Sequence, residues 1–201
     1  MRYLLATCAV SALATFASAD TLFIMADSST STEHTGSMFS GSLEYVYSSG
    51  DSGTLLVSLT NDTSADIGGY LTGFVFNIAS QDANASASLS FGSNANFLNT
   101  GEENAAPFGM FDAGAALGAN WTGGGSPSFG MGFGVSGMFE FMVTASDASL
   151  LTSSSFIGNG SEFAVRFRGL YDGGSDKILT PAPGTSVLAL LGMGLASRRR
   201  R

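Results

Sequence analysis

Apolar side chains recur at every second position in several separate runs of this chain. Leu43, Tyr45 and Tyr47 alternate with Glu44 and Val46, and Leu55, Val57 and Leu59 alternate with Leu56, Ser58 and Thr60. The turn cluster Gly50-Asp51-Ser52-Gly53 lies between these runs and makes them the arms of a hairpin. Phe74, Phe76 and Ile78 share one face of the segment 70–78, and Ala87, Leu89 and Phe91 repeat the pattern over 86–91. After an irregular, glycine-rich stretch from Gly92 to Gly134, alternation returns. Phe139, Phe141 and Val143 face one way there, while Met138, Glu140 and Met142 face the other. The last clear run sets Phe163, Val165 and Phe167 against Ala164, Arg166 and Arg168. Thr21 to Met25 is a short apolar first strand, and 145–155 is a connection with room for one helical turn.

A period of two is that of a strand with one buried face. Seven or eight such strands, joined by Gly, Asn, Asp and Ser turns and lacking a long helix, predict an all-β antiparallel β-sandwich. Immunoglobulin-like and jelly-roll connections both satisfy the pattern. There is no internal repeat and no second domain, so residues 20–179 form one domain.

The two ends follow different rules. Residues 1–19 hold Arg2, an apolar stretch from Leu4 to Phe16, and Ala17-Ser18-Ala19. That order is a secretory signal peptide with cleavage predicted between Ala19 and Asp20. The only cysteine, Cys8, leaves with it, so the exported chain has neither disulfide nor thiol chemistry. Residues 180–201 begin with a Pro-x-Pro turn and continue as an uncharged run from Val187 to Ala196. They end in Arg198, Arg199, Arg200 and Arg201. Pro181 and Pro183 stop any helix from running through them. A short apolar helix from Gly184 to Ser197 would be about 21 Å long, against a hydrocarbon core of about 30 Å. Snorkelling arginines recover part of the difference, and as cations after an apolar run they stay cytoplasmic. The device is a weak stop-transfer segment with a turn on its outer side.

Pro181-Ala182-Pro183, the small residues Gly184-Thr185-Ser186, the Leu/Ala/Gly run and the arginine cluster together resemble a PEP-CTERM sorting signal. The same module is also labelled an ice-binding protein C-terminal domain, a label that names no activity. The chain departs from the family pattern at Ala182, where the family has Glu, and at Gly184, where it has Ser or Thr. The resemblance implies a membrane-embedded exosortase of a Gram-negative bacterium as processing partner, and an exopolysaccharide-producing host. It covers about a tenth of the chain. The runs around Phe74 and Phe163 look like bodies found ahead of such tails, which carry no known activity.

Charge narrows the partners. All sixteen acidic residues lie between Asp20 and Asp176, where Arg166 and Arg168, with Lys177 just beyond, are the only cations, giving a formal charge of −13. Such a body repels nucleic acid and anionic lipid and suits an extracellular protein. It also suits calcium as the one candidate cofactor.

Candidate chemistry is sparse. His34, the single histidine, stands in a Ser/Thr-rich loop with no Gly-x-Ser-x-Gly elbow in the chain. One histidine and no cysteine do not make a zinc site. Glu102 and Glu103 are adjacent, and Glu44 and Glu140 fall on outward faces, so none forms an obvious glycosidase pair. Asp172-Gly173-Gly174-Ser175-Asp176 puts two carboxylates on a turn that could hold calcium, and Asn61-Asp62 with Asp66 makes a second acidic group. Neither matches an EF-hand, and turn chemistry accounts for both. Trp121, on the glycine-rich stretch, is either a platform for a sugar ring or a cap over one end of the sandwich. Sequons at Asn61, Asn84, Asn120 and Asn159 are expected in so Ser- and Asn-rich a chain.

The reading that emerges is an exported, non-enzymatic cell-surface or matrix protein. It is exported by residues 1–19, sorted through 180–201, and held in the inner membrane until processing. The alternatives are a carbohydrate-binding sandwich that uses 92–134 on extracellular polysaccharide, and an exported hydrolase. An exposed Trp121 beside polar groups favours the first alternative, and a cleft with two carboxylates favours the second.

Overall fold

The computed structural model describes residues 20–157 and 162–180. Five features of the sequence reading lie outside the described residues: the signal peptide with Ala17 and Ala19, the sequon at Asn159, the Pro181–Gly184 motif, the apolar run, and Arg198 to Arg201.

Among the described residues, twelve strands follow one another. They are β1 (Asp20–Ala26), β2 (Phe39–Ser49), β3 (Ser52–Asn61), β4 (Gly68–Phe76), β5 (Ser86–Gly92), β6 (Phe97–Asn99), β7 (Glu103–Asn104), β8 (Met110–Phe111), β9 (Ala113–Leu117), β10 (Ser136–Thr144), β11 (Phe163–Leu170) and β12 (Ser175–Leu179). The first sheet runs β1-β2-β3-β10-β5 and the second β12-β11-β4-β9-β6, with β7 and β8 as a separate small ribbon. Every pairing is antiparallel. The all-β sandwich expected from alternation is the architecture observed.

The two sheets meet over an aromatic core. Phe74 of the second sheet lies 4.9 Å from Phe139 and 5.9 Å from Phe141 of the first, centroid to centroid. Phe76 meets Phe141 edge-on at 5.1 Å, and Phe163 stacks beside Phe74 at 5.7 Å. These are the tilted, offset and edge geometries that aromatic quadrupoles favour. The alternation is therefore the imprint of two inner faces packed together. Gly53 has a part in this: a Cβ there would overlap the Tyr45 hydroxyl, which donates to the Ala148 carbonyl at 2.8 Å.

The stretch 92–134 is more regular than its sequence suggests. It supplies β6 and β9 to the second sheet and then folds back over that sheet's outer face. All five residues of β9 (Ala-Gly-Ala-Ala-Leu) are buried because both of its faces are covered, and a strand covered on both sides has no alternation to read. On the outer side Val75, Ala105, Phe111, Trp121 and Ala164 form a second, smaller core. The connection 145–155 holds two 3₁₀ turns, Ala148–Leu150 and Ser153–Phe156, rather than an α-helical turn. In β5, Leu89 is half-buried and Phe91 is exposed. A bulge between Glu140 and Phe141 shifts the register there and turns the end of this edge strand outward.

Candidate functional site

The outer face of the first sheet beside β1 is an open apolar surface. In that edge strand Ile24 and Ala26 enter the core, so Phe23 and Met25 must point out. Phe23 is 82 % exposed and Met25 73 %. Register lines them up with hydroxyl side chains on neighbouring strands. Phe23 pairs with Ser42 and Met25 with Ser40. Ser42 in turn pairs with Ser58, and Ser40 with Thr60. Thr60 reaches Ser136, its hydroxyl 2.8 Å from the Ser136 hydroxyl.

A shallow groove of about 370 Å³ results, with an aromatic and thioether wall over a floor of small hydroxyls. Among the described residues no side-chain hydrogen bond engages the hydroxyls of Ser40, Ser42 or Ser58, so they are free to bond a ligand. Past Met25 and Ser40 the groove continues into a second hollow of about 210 Å³, where Met38, Asp27 and Asp62 stand. Hydrogen bonds from Ser29 hold the Asp27 carboxyl below its ordinary value, the backbone N–H donating to Oδ1 at 2.8 Å. An apolar wall, a hydroxyl floor and an ionised carboxylate at one end can take a polyhydroxylated ligand that has an apolar face.

The residues singled out from sequence fall elsewhere. Trp121 is only 2 % exposed. Its indole N–H donates to the Ala106 carbonyl at 3.4 Å, and its own carbonyl accepts from Arg166 at 2.6 Å. A covered indole presents no face to a sugar, so Trp121 is not a platform in this conformation. Nor does it cap an end of the sandwich, since it lies on the outer face of the second sheet.

Asp172 and Asp176 do not converge on one site. Asp172 accepts from the Gly174 N–H at 2.7 Å and closes its own turn. Asp176 is fully buried and accepts from the Ser31 and Thr35 hydroxyls and from the amides of Glu33, Thr35 and Lys177. Burial raises its pKa, but these donors outweigh burial and hold it below the ordinary value. A carboxylate ringed by donors is satisfied without a cation. Among the described residues no three His, Asp or Glu side chains gather as a metal cluster.

His34 adopts a φ of 53° and places Nδ1 2.8 Å from the Ser28 carbonyl, to which it donates. Ser31, three residues earlier, gives its hydroxyl proton to Asp176, so the imidazole is not oriented as a base for that hydroxyl. Asn61 is a buried brace, its amide donating to the carbonyls of Met131 at 2.9 Å and Gly69 at 3.3 Å. Asp66 accepts from Ser64 at 2.5 Å, apart from Asp62. Glu44 and Glu140 flank Leu56 in one row of the first sheet, two strand spacings or about 9–10 Å apart at the backbone. Neither lines the groove. Glu103 lies in β7, opposite Phe111.

Phe23 and Met25 were not legible as site residues. Thr21 to Met25 reads as apolar throughout, and only the structure separates its two faces. No family model, no curated protein and no solved structure matches this chain.

Proposed function

We propose that this chain is an exported, non-enzymatic cell-surface or matrix protein, cut from its leader before Asp20 and sorted through the segment that starts at Pro181. The observation that supports this reading is that the described domain brings Asp20 and Thr180, the residues next to the two sequence signals, close together. Asp20 is part of β1, and the Thr180 N–H donates to the Phe163 carbonyl at 2.9 Å. The two residues lie at one pole. Asp20 pairs with Tyr45, whose ring lies 5.5 Å from Phe156; Phe156 lies 5.8 Å from Phe76, and Phe76 pairs with Phe163. A domain tied at one pole can lose a leader on one side and remain attached on the other without rearrangement.

The strand order supports an immunoglobulin-like rather than a jelly-roll connection. If β2, β3, β4, β5, β10, β11 and β12 are lettered A to G, the sheets run A-B-E-D and G-F-C. β1 then adds an edge beside A, and 93–135 is an insertion between D and E.

The test is intact mass and fractionation of the protein from its own host. A species that starts at Asp20 and lacks the apolar run and arginines supports two-signal processing. A chain that still ends at Arg201 in the inner membrane overturns the exosortase assignment.

A second reading, a saccharide-binding sandwich, gains support from the Phe23 groove. It places the sugar on the first sheet rather than on the insertion.

A further inference from the structure

The domain has sixteen acidic groups and three cations, and all three cations sit together. Arg166 and Arg168 project from the outer face of β11 on either side of the inward-facing Phe167. Lys177 is the cross-strand partner of Arg166, and Ser175 that of Arg168. Random placement would scatter the cations among the carboxylates. Here like charges are neighbours, and the intervening residue on β12, Asp176, turns its carboxylate to the other side, toward Ser31 and Thr35.

These arginines line a cleft of about 350 Å³, walled by Pro127, Gly169 and the Gly173–Gly174 turn, with Ser175 on its floor. Their own bonds leave donors over. Arg166 gives one terminal N–H to the Trp121 carbonyl at 2.6 Å, and Arg168 gives one to the Gly125 carbonyl at 3.4 Å. Among the described residues, Nε of Arg166 and Nη1 of Arg168 are buried with no hydrogen-bond partner, Nη1 packing against Gly123. Burial, and then the Arg168 charge, push the Arg166 guanidinium below its usual range. No carboxylate is among the described residues that line the cleft, and Asp172, next to Gly173 in sequence, accepts from the Gly174 N–H. Nε of Arg166 and Nη1 of Arg168 are covered, so a ligand would meet the remaining N–H groups of the two guanidinium groups that line the cleft, and an oxyanion is the partner that fits their fork.

We infer that the Arg166–Arg168 cleft is a binding site for a single oxyanionic group, a carboxylate or sulfate, carried by an otherwise neutral ligand such as an acidic sugar. The local charge attracts the group, while the field of a body at −13 repels polyanions such as nucleic acid or polyphosphate. The glycine walls admit a ring-sized ligand close to the backbone. This inference needs neither the sorting reading nor the Phe23 groove.

The test is titration of the exported chain, in mild detergent, with glucuronate, glucose and inorganic sulfate, read by calorimetry and by chemical modification of arginine. Glucuronate should bind and slow phenylglyoxal modification of Arg168, while glucose should do neither. Sulfate as tight as glucuronate means that the anionic group alone is read; tighter glucuronate means that the sugar is read too. Both outcomes support the site. Arg168→Gln should weaken binding about tenfold or more, the loss of one hydrogen bond to a charged group, and Arg168→Lys should weaken it less. Failure of both anions to bind, or to protect the wild-type arginines, overturns the proposal. So does binding that a folded Arg168→Gln variant retains in full. Protection is measured on the wild-type chain, so a variant that fails to fold does not remove the test.

Discussion

Asp176→Asn should be the most informative single-atom change in this domain. The carboxylate is fully buried and joins the loop 28–37 to β12. Oδ1 accepts from the Ser31 hydroxyl at 2.6 Å, the Lys177 amide at 2.7 Å and the Glu33 amide at 3.3 Å. Oδ2 accepts from the Ser31 hydroxyl at 2.7 Å, the Thr35 amide at 3.3 Å and the Thr35 hydroxyl. An asparagine of the same shape must point its NH₂ at one of these sets. The better choice is the Oδ2 side, because hydroxyls can rotate to accept. Even so the Thr35 N–H then faces another N–H, an orphaned donor that costs about 1–3 kcal/mol. The bonds that survive change from charge-assisted to neutral and weaken roughly twofold. Relief from burying a charge returns part of this, so the net loss should be about 2–4 kcal/mol.

Urea unfolding followed by circular dichroism at neutral pH measures that loss. Hydrogen exchange at Glu33 and Thr35 locates it. The acid limb supplies a second check. The folded-state pKa of Asp176 is lowered, so its contribution is fully present above the ordinary value of 3.8 and is lost as pH falls through the folded value. The gap between wild type and variant should therefore be constant at higher pH and close in acid. A variant within about 0.5 kcal/mol of wild type at neutral pH would refute the account, since that is the scatter of ordinary surface changes. A gap that persists unchanged in strong acid would also refute it.

Two further expectations follow from the packing and the groove. Phe74→Ala removes the ring shared by Phe139, Phe141 and Phe163 and should cost about 3–5 kcal/mol, a large fraction of a domain's stability, read as a fall in the urea midpoint. Phe23→Ala removes an exposed ring and should change stability by less than about 0.5 kcal/mol. If the first-sheet groove binds saccharide, that variant loses co-sedimentation with the host's extracellular polysaccharide. Unchanged co-sedimentation assigns any such binding to another surface.

Legibility from sequence followed the number of covered faces. The arms β2 and β3 and the strand β10 each bury one face, and their alternation gave both the element and its inward set. β11 gave its aromatic set equally well. β9 is covered on both sides, so its small residues carried no period. The role of Asp176 was hidden for a different reason. Its local context, a Gly/Ser/Asp turn, accounts for an aspartate without further cause, whereas its partners Ser31 and Thr35 are 145 and 141 positions away. Trp121 was misplaced for a related reason: glycines around a tryptophan fit an open platform as well as a close-packed cover. Which it is depends on whether Phe111, Val75 and Ala164 lie beneath, and that is a property of the topology.

The placement of the two hollows relative to the chain ends bears on how such a domain would work. β11 runs from Phe163, beside the exit at Thr180, to Leu170, and β12 returns from Ser175. The turn between them, with the arginine cleft at its base, therefore lies toward the pole opposite both ends. The hollow beside Asp27 and Met38 lies away from the exit as well, because β1 starts at the exit and finishes there. If Thr180 leads to a membrane segment, both surfaces face outward, clear of the attachment. The loop fixed by Asp176 crosses from β1 to the edge of β12, where Ser31 bridges Ile178 and the Thr32 amide bonds the Lys177 carbonyl at 2.9 Å. It thus ties the strand that carries Phe23 to the strand that carries Lys177. Loss of that tie in Asp176→Asn should loosen the outer pole first and leave the phenylalanine core, and the exit it surrounds, for last.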